Sequence, residues 1–387
     1  MRVVMNGLAA LKPKTGVGHH VAELYSALTT SYPAEHFELY PGERIGGWIR
    51  SANKPKPTSS NKATSSKRSS VGGLVATFGK KTAQSASAVH FALYARSCRF
   101  DLYHEPNFVP FSSHLPTIVT VHDLSVLKFP QWHPADRVRY HHKHFLRGLN
   151  RARHLIVVSE AVRRELIDEL GCPPARVTAI FNGIGPQFVP QAPEAIAAVR
   201  AALDLPANYF LCVGTIEPRK NLGTVIRAFA DLPAEVRSRC PLVLAGPWGW
   251  RADAERDLFE RIGKPAGVRH LGYTPAEQLP ALYSAARVLL YPSYYEGFGM
   301  PPTEMLACGG GVISSTADSL REVLAGHAEF VPADDIAGWR NAMLRAATDD
   351  DYLLQLKNNG VRHAAQYTWQ RAANETIDVY RRAIAKG

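Results

Sequence analysis

The chain has 387 residues, long enough for about two or three domains that each bury a core. A charged fraction of 20% beside a hydrophobic fraction of 46% excludes a disordered chain, and the absence of any run of about 18 uninterrupted apolar residues argues against a spanning helix. Its formal net charge of +11 lies entirely in the first half: residues 1–200 hold 25 Lys and Arg against 13 Asp and Glu, residues 201–387 hold 20 against 21.

The five cysteines, Cys98, Cys172, Cys212, Cys240 and Cys308, show neither CxxC nor any other ligand spacing, so a disulfide framework and a zinc site are not indicated. "MRVVMNGLAAL" has a short apolar run without a small-residue cleavage site, so a reducing, cytoplasmic setting is expected. Residues 51–100 contain nine basic residues and no acidic one. Such a surface attracts anionic partners of many kinds: phosphates, nucleic acid or acidic lipid headgroups.

Taken in chain order, "RVVMNGLA" predicts a strand, "KPKTGVGHH" a glycine-bearing turn, and "HHVAELYSAL" a helix with Val21, Leu24, Tyr25 and Leu28 on one face. Residues 51–70 then break the rhythm with Ser, Lys, Pro and Thr, as a surface loop does, and a weakly amphipathic helical stretch follows them. "RFDLYHEP", "TIVTVHDLS", "HLIVVSEAVRREL" and "RVTAIFNGI" are short β-branched runs, each ending in a polar or glycine turn, as buried parallel strands do. Ser159 caps a helix running from Glu160. After a proline-bearing linker at 185–196, a second series begins: "YFLCVGTIEPRKN", "PLVLAGPWG", "VRHLGYT", "RVLLYPS" and "GGGVISST" supply strands, with "LGTVIRAFADL" a helix between the first two. Strands alternating with helices predict an α/β chain of doubly wound parallel sheets, with ligand bound in the cleft between two such domains.

"YYEGFGMPPTE" at 294–304 carries the most specific pattern, two glutamates, Glu296 and Glu304, eight positions apart around Gly297, Phe298 and Gly299. Glycines at a strand end let the backbone approach a ligand, and amides at the start of the next helix attract an anion. With "LGYTPAEQLPALYSAARVLLYPS" before it and "VGTIEPRKNL" upstream, the chain resembles the nucleotide-sugar-dependent transferases of glycosyltransferase family 4, most closely in look the bacterial O-antigen and exopolysaccharide mannosyltransferases.

That resemblance implies the GT-B fold, two Rossmann-like domains: residues 1–187 with a returning C-terminal helix at 368–387, and 188–367. It implies that Glu296 faces donor-sugar hydroxyls, that Glu304 accepts from the ribose, and that Gly297, Phe298 and Gly299 form the loop around the diphosphate. Arg219 and Lys220 in "EPRKN" are candidates to stabilise the charge growing on the leaving diphosphate. Many family members carry an arginine where this chain has Thr215, and an aspartate where it has Gly185. His122 ends a strand and is implied near the donor sugar, whereas its neighbour Asp123 points away if the strand register persists. Gly16 and Gly18 match the family's first glycine loop. His20, His141, His142 and His144 read as surface residues, since no carboxylate stands at ligand spacing, and no metal or other cofactor is expected beyond the nucleotide-sugar substrate.

The expected reaction is transfer of a hexose with retention, mannose from GDP-mannose leading and a UDP-hexose second, to a saccharide acceptor that is lipid-linked. No residue stands out as a glycosidase-like carboxylate nucleophile, so front-face attack aided by positioning and charge fits the candidates. A lipid-linked acceptor would turn the 51–100 segment toward anionic headgroups on the inner face of the membrane. Three readings compete. A sugar 2-epimerase shares the architecture without the Glu-x7-Glu element, a nucleic-acid binder lacks aromatic residues interleaved with its basic ones, and a catalytically silent homologue would not need His122, Lys220, Glu296 and Glu304 together.

Overall fold

In the computed structural model, the structure describes residues 1–11, 16–42 and 87–385. The turn residues 12–15, the loop at 51–70 and the first part of the helical stretch after it lie outside the described residues. The chain folds as two compact units: residues 1–121, 145–156 and 373–387, and residues 122–144 and 157–372.

Among the described residues, twelve strands form two six-stranded sheets. The first contains β1 (Arg2–Asn6), β2 (His36–Tyr40), β3 (Leu102–Glu105), β4 (Thr117–Val121), β5 (His154–Val157) and β6 (Val177–Ala179) in the order β2-β1-β3-β4-β5-β6. The second contains β7 (Phe210–Val213), β8 (Leu242–Ala245), β9 (Arg269–Gly272), β10 (Val288–Tyr291), β11 (Gly311–Ser315) and β12 (Glu329–Val331) in the order β12-β11-β10-β7-β8-β9. The described pairings are parallel, for example Phe210 with Leu242 and Val288 with Phe210. The two α/β series of the sequence therefore fold as doubly wound sheets, as expected.

Period-two burial explains the second sheet. Phe210, Cys212, Leu242, Leu244, Val288, Leu290 and Ile313 pack on one face with Trp339 and Phe229. Tyr209, Leu211, Val243, Ala245, Leu289 and Val312 pack on the other with Tyr283, Met305 and Leu306. Every residue of β8, β10 and β11 is buried, which is why the sequences of β8 and β10 read as continuous apolar runs. In the first unit, Val4, Tyr103, Tyr40 and Phe91 anchor the core, and His104 bonds Tyr380 of the C-terminal helix Trp369–Ala385 at 2.7 Å.

Two local expectations change. The first helix spans Gly16–Ser31, so Gly16 and Gly18 lie in its first turn rather than in a preceding loop. His20 is not a surface residue: it is 7% exposed, because it shares the 20, 24, 28 stripe with Leu24 and Leu28. In the second unit, the stretch after β6 is pinned by Ile184 N donating to Tyr367 O at 2.9 Å, and the helix Pro193–Ala202 starts inside the proline-bearing stretch.

Candidate functional site

The strand order of the second sheet reverses between β7 and β10, and in such sheets the crevice beyond the carboxyl ends of the two strands at that point receives the ligand. The turn after β7 carries Glu217, Arg219 and Lys220, and the loop after β10 carries Tyr294 to Gly299. Two sequence-distant motifs therefore meet at the place where this topology binds ligands.

They meet through charge. Glu296 is 8% exposed; its Oε2 accepts from Arg219 Nη1 at 2.6 Å and its Oε1 from Lys220 Nζ at 2.6 Å. Tyr291 Oη accepts from Lys220 Nζ at 2.5 Å and donates to Glu296 Oε1 at 3.0 Å. Glu217, 3% exposed, grips the same guanidinium through Oε1 at 2.8 Å, and Arg219 Nη1 also donates to Tyr295 O at 2.9 Å. Burial alone would raise the Glu296 pKa, but Arg219 and Lys220 outweigh it and hold the carboxyl at about 2. The result is a largely buried lattice in which two carboxylates face an arginine and a lysine.

The glycine loop is fixed by its backbone. Gly297 O accepts from Ser159 Oγ at 2.7 Å, and that same Oγ caps the helix Glu160–Asp168 by accepting from Val162 N at 3.2 Å, the capping role expected of Ser159. A Cβ at Gly297 would lie 1.7 Å from His122 O, so only glycine permits this approach. His122 thereby stands directly beside the loop. Asp123 is also nearby, since its charge acts on Arg219; β4 ends at Val121, so strand alternation no longer governs where Asp123 points.

Gly299, at φ 97°, precedes the helix Met300–Ala307, which opens one residue before Pro301. The Phe298 side chain is buried among Val158, Val323 and Tyr367, leaving its backbone as the part able to meet a ligand. Glu304 stands apart from the cation pair, half-buried and accepting from Tyr283 Oη at 2.8 Å. Burial raises its pKa to about 7. The glutamate pair thus consists of two different groups, one held ionised down to about pH 2 and one titrating near neutrality. Gly16 and Gly18 belong to the first unit, where a Cβ at Gly16 would meet nothing within 4 Å.

Glu217, Tyr291 and Tyr283 take part in this arrangement and were not singled out from the sequence. Glu217 sits inside "EPRKN" and was readable as a countercharge two residues before Arg219; the two tyrosines sit in apolar runs that signal only core. Among the described residues, no group of three or more His, Cys, Asp and Glu is placed to hold a metal ion, and no helix is long and apolar enough to cross a membrane.

The family model for glycosyl transferases group 1 matches residues 198–363, and that for Glycosyltransferase Family 4 matches residues 65–188. The chain is 32% identical over 380 residues to the O-antigen chain mannosyltransferase B of Escherichia coli, a match covering 95% of this chain and 96% of that one. The chain belongs to glycosyltransferase family 4. It is 30% identical over 279 residues to the serotype-specific mannosyltransferase WbdA of Escherichia coli, of which the match covers 34%. In fold, the transferase superposes on a sucrose-phosphate synthase from Thermosynechococcus elongatus with a TM-score of 0.70 at 22% identity, over 100% of this chain and 99% of that one. These matches, with the two parallel six-stranded sheets, give the transferase the GT-B fold.

Proposed function

We propose that this glycosyltransferase moves mannose from GDP-mannose to a hydroxyl of a saccharide acceptor, with retention of configuration and without a metal ion. The observation that carries the reading is the pair of cations, Arg219 and Lys220, held by Glu296 at the switch point of the second sheet. Similarity to the E. coli O-antigen chain mannosyltransferase B supports mannose as the sugar.

The chemistry follows from charge. Breaking the bond between the anomeric carbon and phosphate puts negative charge on the departing oxygen, and fixed cations stabilise that charge more than the ground state. Glu296 keeps both cations in place before the donor arrives, so little reorganisation accompanies the reaction. The backbone N–H groups of Gly297, Phe298, Gly299 and Met300 offer donors to the diphosphate, Pro301 and Pro302 having none, Glu304 accepts from the ribose, and His122 orients the sugar. In a front-face attack the departing phosphate takes the proton of the acceptor hydroxyl, so no protein nucleophile is required. The nine basic residues at 51–100 support a lipid-linked acceptor on an anionic membrane surface.

Thermal stabilisation by GDP-mannose, UDP-glucose, UDP-GlcNAc and dTDP-rhamnose, measured on wild type and Glu304→Ala, tests the reading. Selective stabilisation by GDP-mannose that is lost in the variant is the expected result. Selective stabilisation by UDP-glucose would reassign the donor, and no response to any of the four would overturn the proposal.

A further inference from the structure

An aromatic file borders the site on the side of Tyr294. Phe129 and Trp132 stack with centroids 4.2 Å apart at 25°, and Trp132 and Tyr294 lie 5.9 Å apart at 15°. Tyr294 is 42% exposed, and its backbone N donates to Arg219 O at 2.9 Å, which ties the file to the turn that carries the cations. The segment holding Trp132 is clamped from the loop after β8. Trp250 Nε1 donates to Trp132 O and Arg251 Nη1 to His133 O, both at 3.1 Å, while the Arg137 guanidinium lies 4.1 Å from the Trp250 ring centroid.

His133, next in the chain, is 3% exposed, and neither of its ring nitrogens has a hydrogen-bond partner among the described residues. Leaving a buried polar atom without a partner is costly, so two on one ring point to a ligand. The charges of Asp123 and Arg219 both act on this imidazole, so it lies near the site. Burial lowers its pKa to about 4, so at neutral pH the ring is uncharged, able to accept at one nitrogen and donate at the other.

We propose that Trp132, Tyr294 and His133 form a subsite for a pyranose ring of the saccharide acceptor, the aromatic rings taking its C–H face and the imidazole one of its hydroxyls. The inference rests on the transferase reading above. A pyranose has apolar C–H faces and a rim of hydroxyls, and the negative face of an aromatic ring attracts the slightly positive C–H hydrogens. A neutral imidazole beside such rings matches the rim. An anionic ligand fits less well beside these rings, because His133 brings no charge at neutral pH. His133 is accordingly a positioning and specificity residue.

Saturation-transfer difference NMR on the full chain, with α-mannotriose and GDP present together, tests the proposal. Saccharide protons should receive saturation in wild type; in Trp132→Ala, Tyr294→Ala and His133→Ala the mannotriose Kd should rise about tenfold while the GDP signals persist. In the transfer reaction the same variants should raise the acceptor KM more than they lower kcat. Tyr294→Ala removes a partly exposed ring and keeps the test valid if Trp132→Ala fails to fold. No mannotriose signal in wild type, or an unchanged one in all three variants, overturns the proposal. Loss of the GDP signals instead would assign the rings to the nucleobase and overturn it equally. A wild type that binds mannotriose but turns over no nucleotide sugar would sink the transferase reading and leave the saccharide subsite standing.

Discussion

Glu296 divides its carboxylate between two cations, Oε2 to Arg219 and Oε1 to Lys220, each at 2.6 Å. Because Glu296 is buried and the two cations are only 13% exposed, the pair cannot be removed piecemeal without leaving charge uncompensated. Glu296→Gln should therefore destabilise folding by about 3–5 kcal/mol, the range for breaking a buried ion pair, and lower transfer by at least roughly a hundredfold. Urea unfolding and steady-state rates check both; an unchanged unfolding midpoint would show that the lattice contributes nothing.

The same carboxylate sets an acid limb. Its pKa is about 2, below the ordinary 4.5. The stability it adds is thus fully present above pH 4.5 and is lost as pH falls toward 2. Unfolding free energies measured from pH 5 downward should fall more steeply for wild type than for Glu296→Gln.

Glu304 gives the opposite sign. Its pKa is raised to about 7, so the folded protein holds the proton more tightly than the unfolded chain and this group's contribution to stability is lost as pH rises from 4.5 through 7. A ribose hydroxyl donating to the carboxylate favours the ionised form, so GDP affinity should rise with pH up to about 7 and then level off. Calorimetric titrations at pH 5.5, 7 and 8.5 check this, and Glu304→Gln should flatten the profile.

Gly297 has no room for a side chain, since a Cβ would fall 1.7 Å from His122 O. Gly297→Ala should push the loop off the His122 segment, lowering activity while the far-UV spectrum stays native. Ser159→Ala removes both the cap on the helix Glu160–Asp168 and the bond to Gly297 O; about 1–3 kcal/mol of stability should go with it. Full activity in Gly297→Ala would show that the close approach has no bearing on catalysis.

The sheets were legible in the sequence because each buried parallel strand leaves a β-branched run ending in a turn. β2 and β12 were missed: they are short edge strands, and their "HFELY" and "EFV" carry little pattern. The Glu-x7-Glu element and "EPRKN" pointed to Arg219, Lys220, Glu296 and Glu304, yet which of them touch was not readable, because contact across 76 residues depends on strand order. Asp123 shows the same limit, since an alternation argument holds only while the strand continues. Nothing in "FPQWH" announced that His133 would be buried with both nitrogens unpaired, a property that belongs to packing rather than to spacing.

The proposed function requires this site to release a nucleoside diphosphate from a mannosyl donor with the help of Lys220. It is tested most directly by GDP release from GDP-mannose, with wild type and with Lys220→Met, each first shown to be folded by its thermal melt. Wild type should release GDP, slowly without an acceptor, and the variant should fall by at least roughly a hundredfold. A folded wild type that releases no GDP, or a variant as active as wild type, would contradict it.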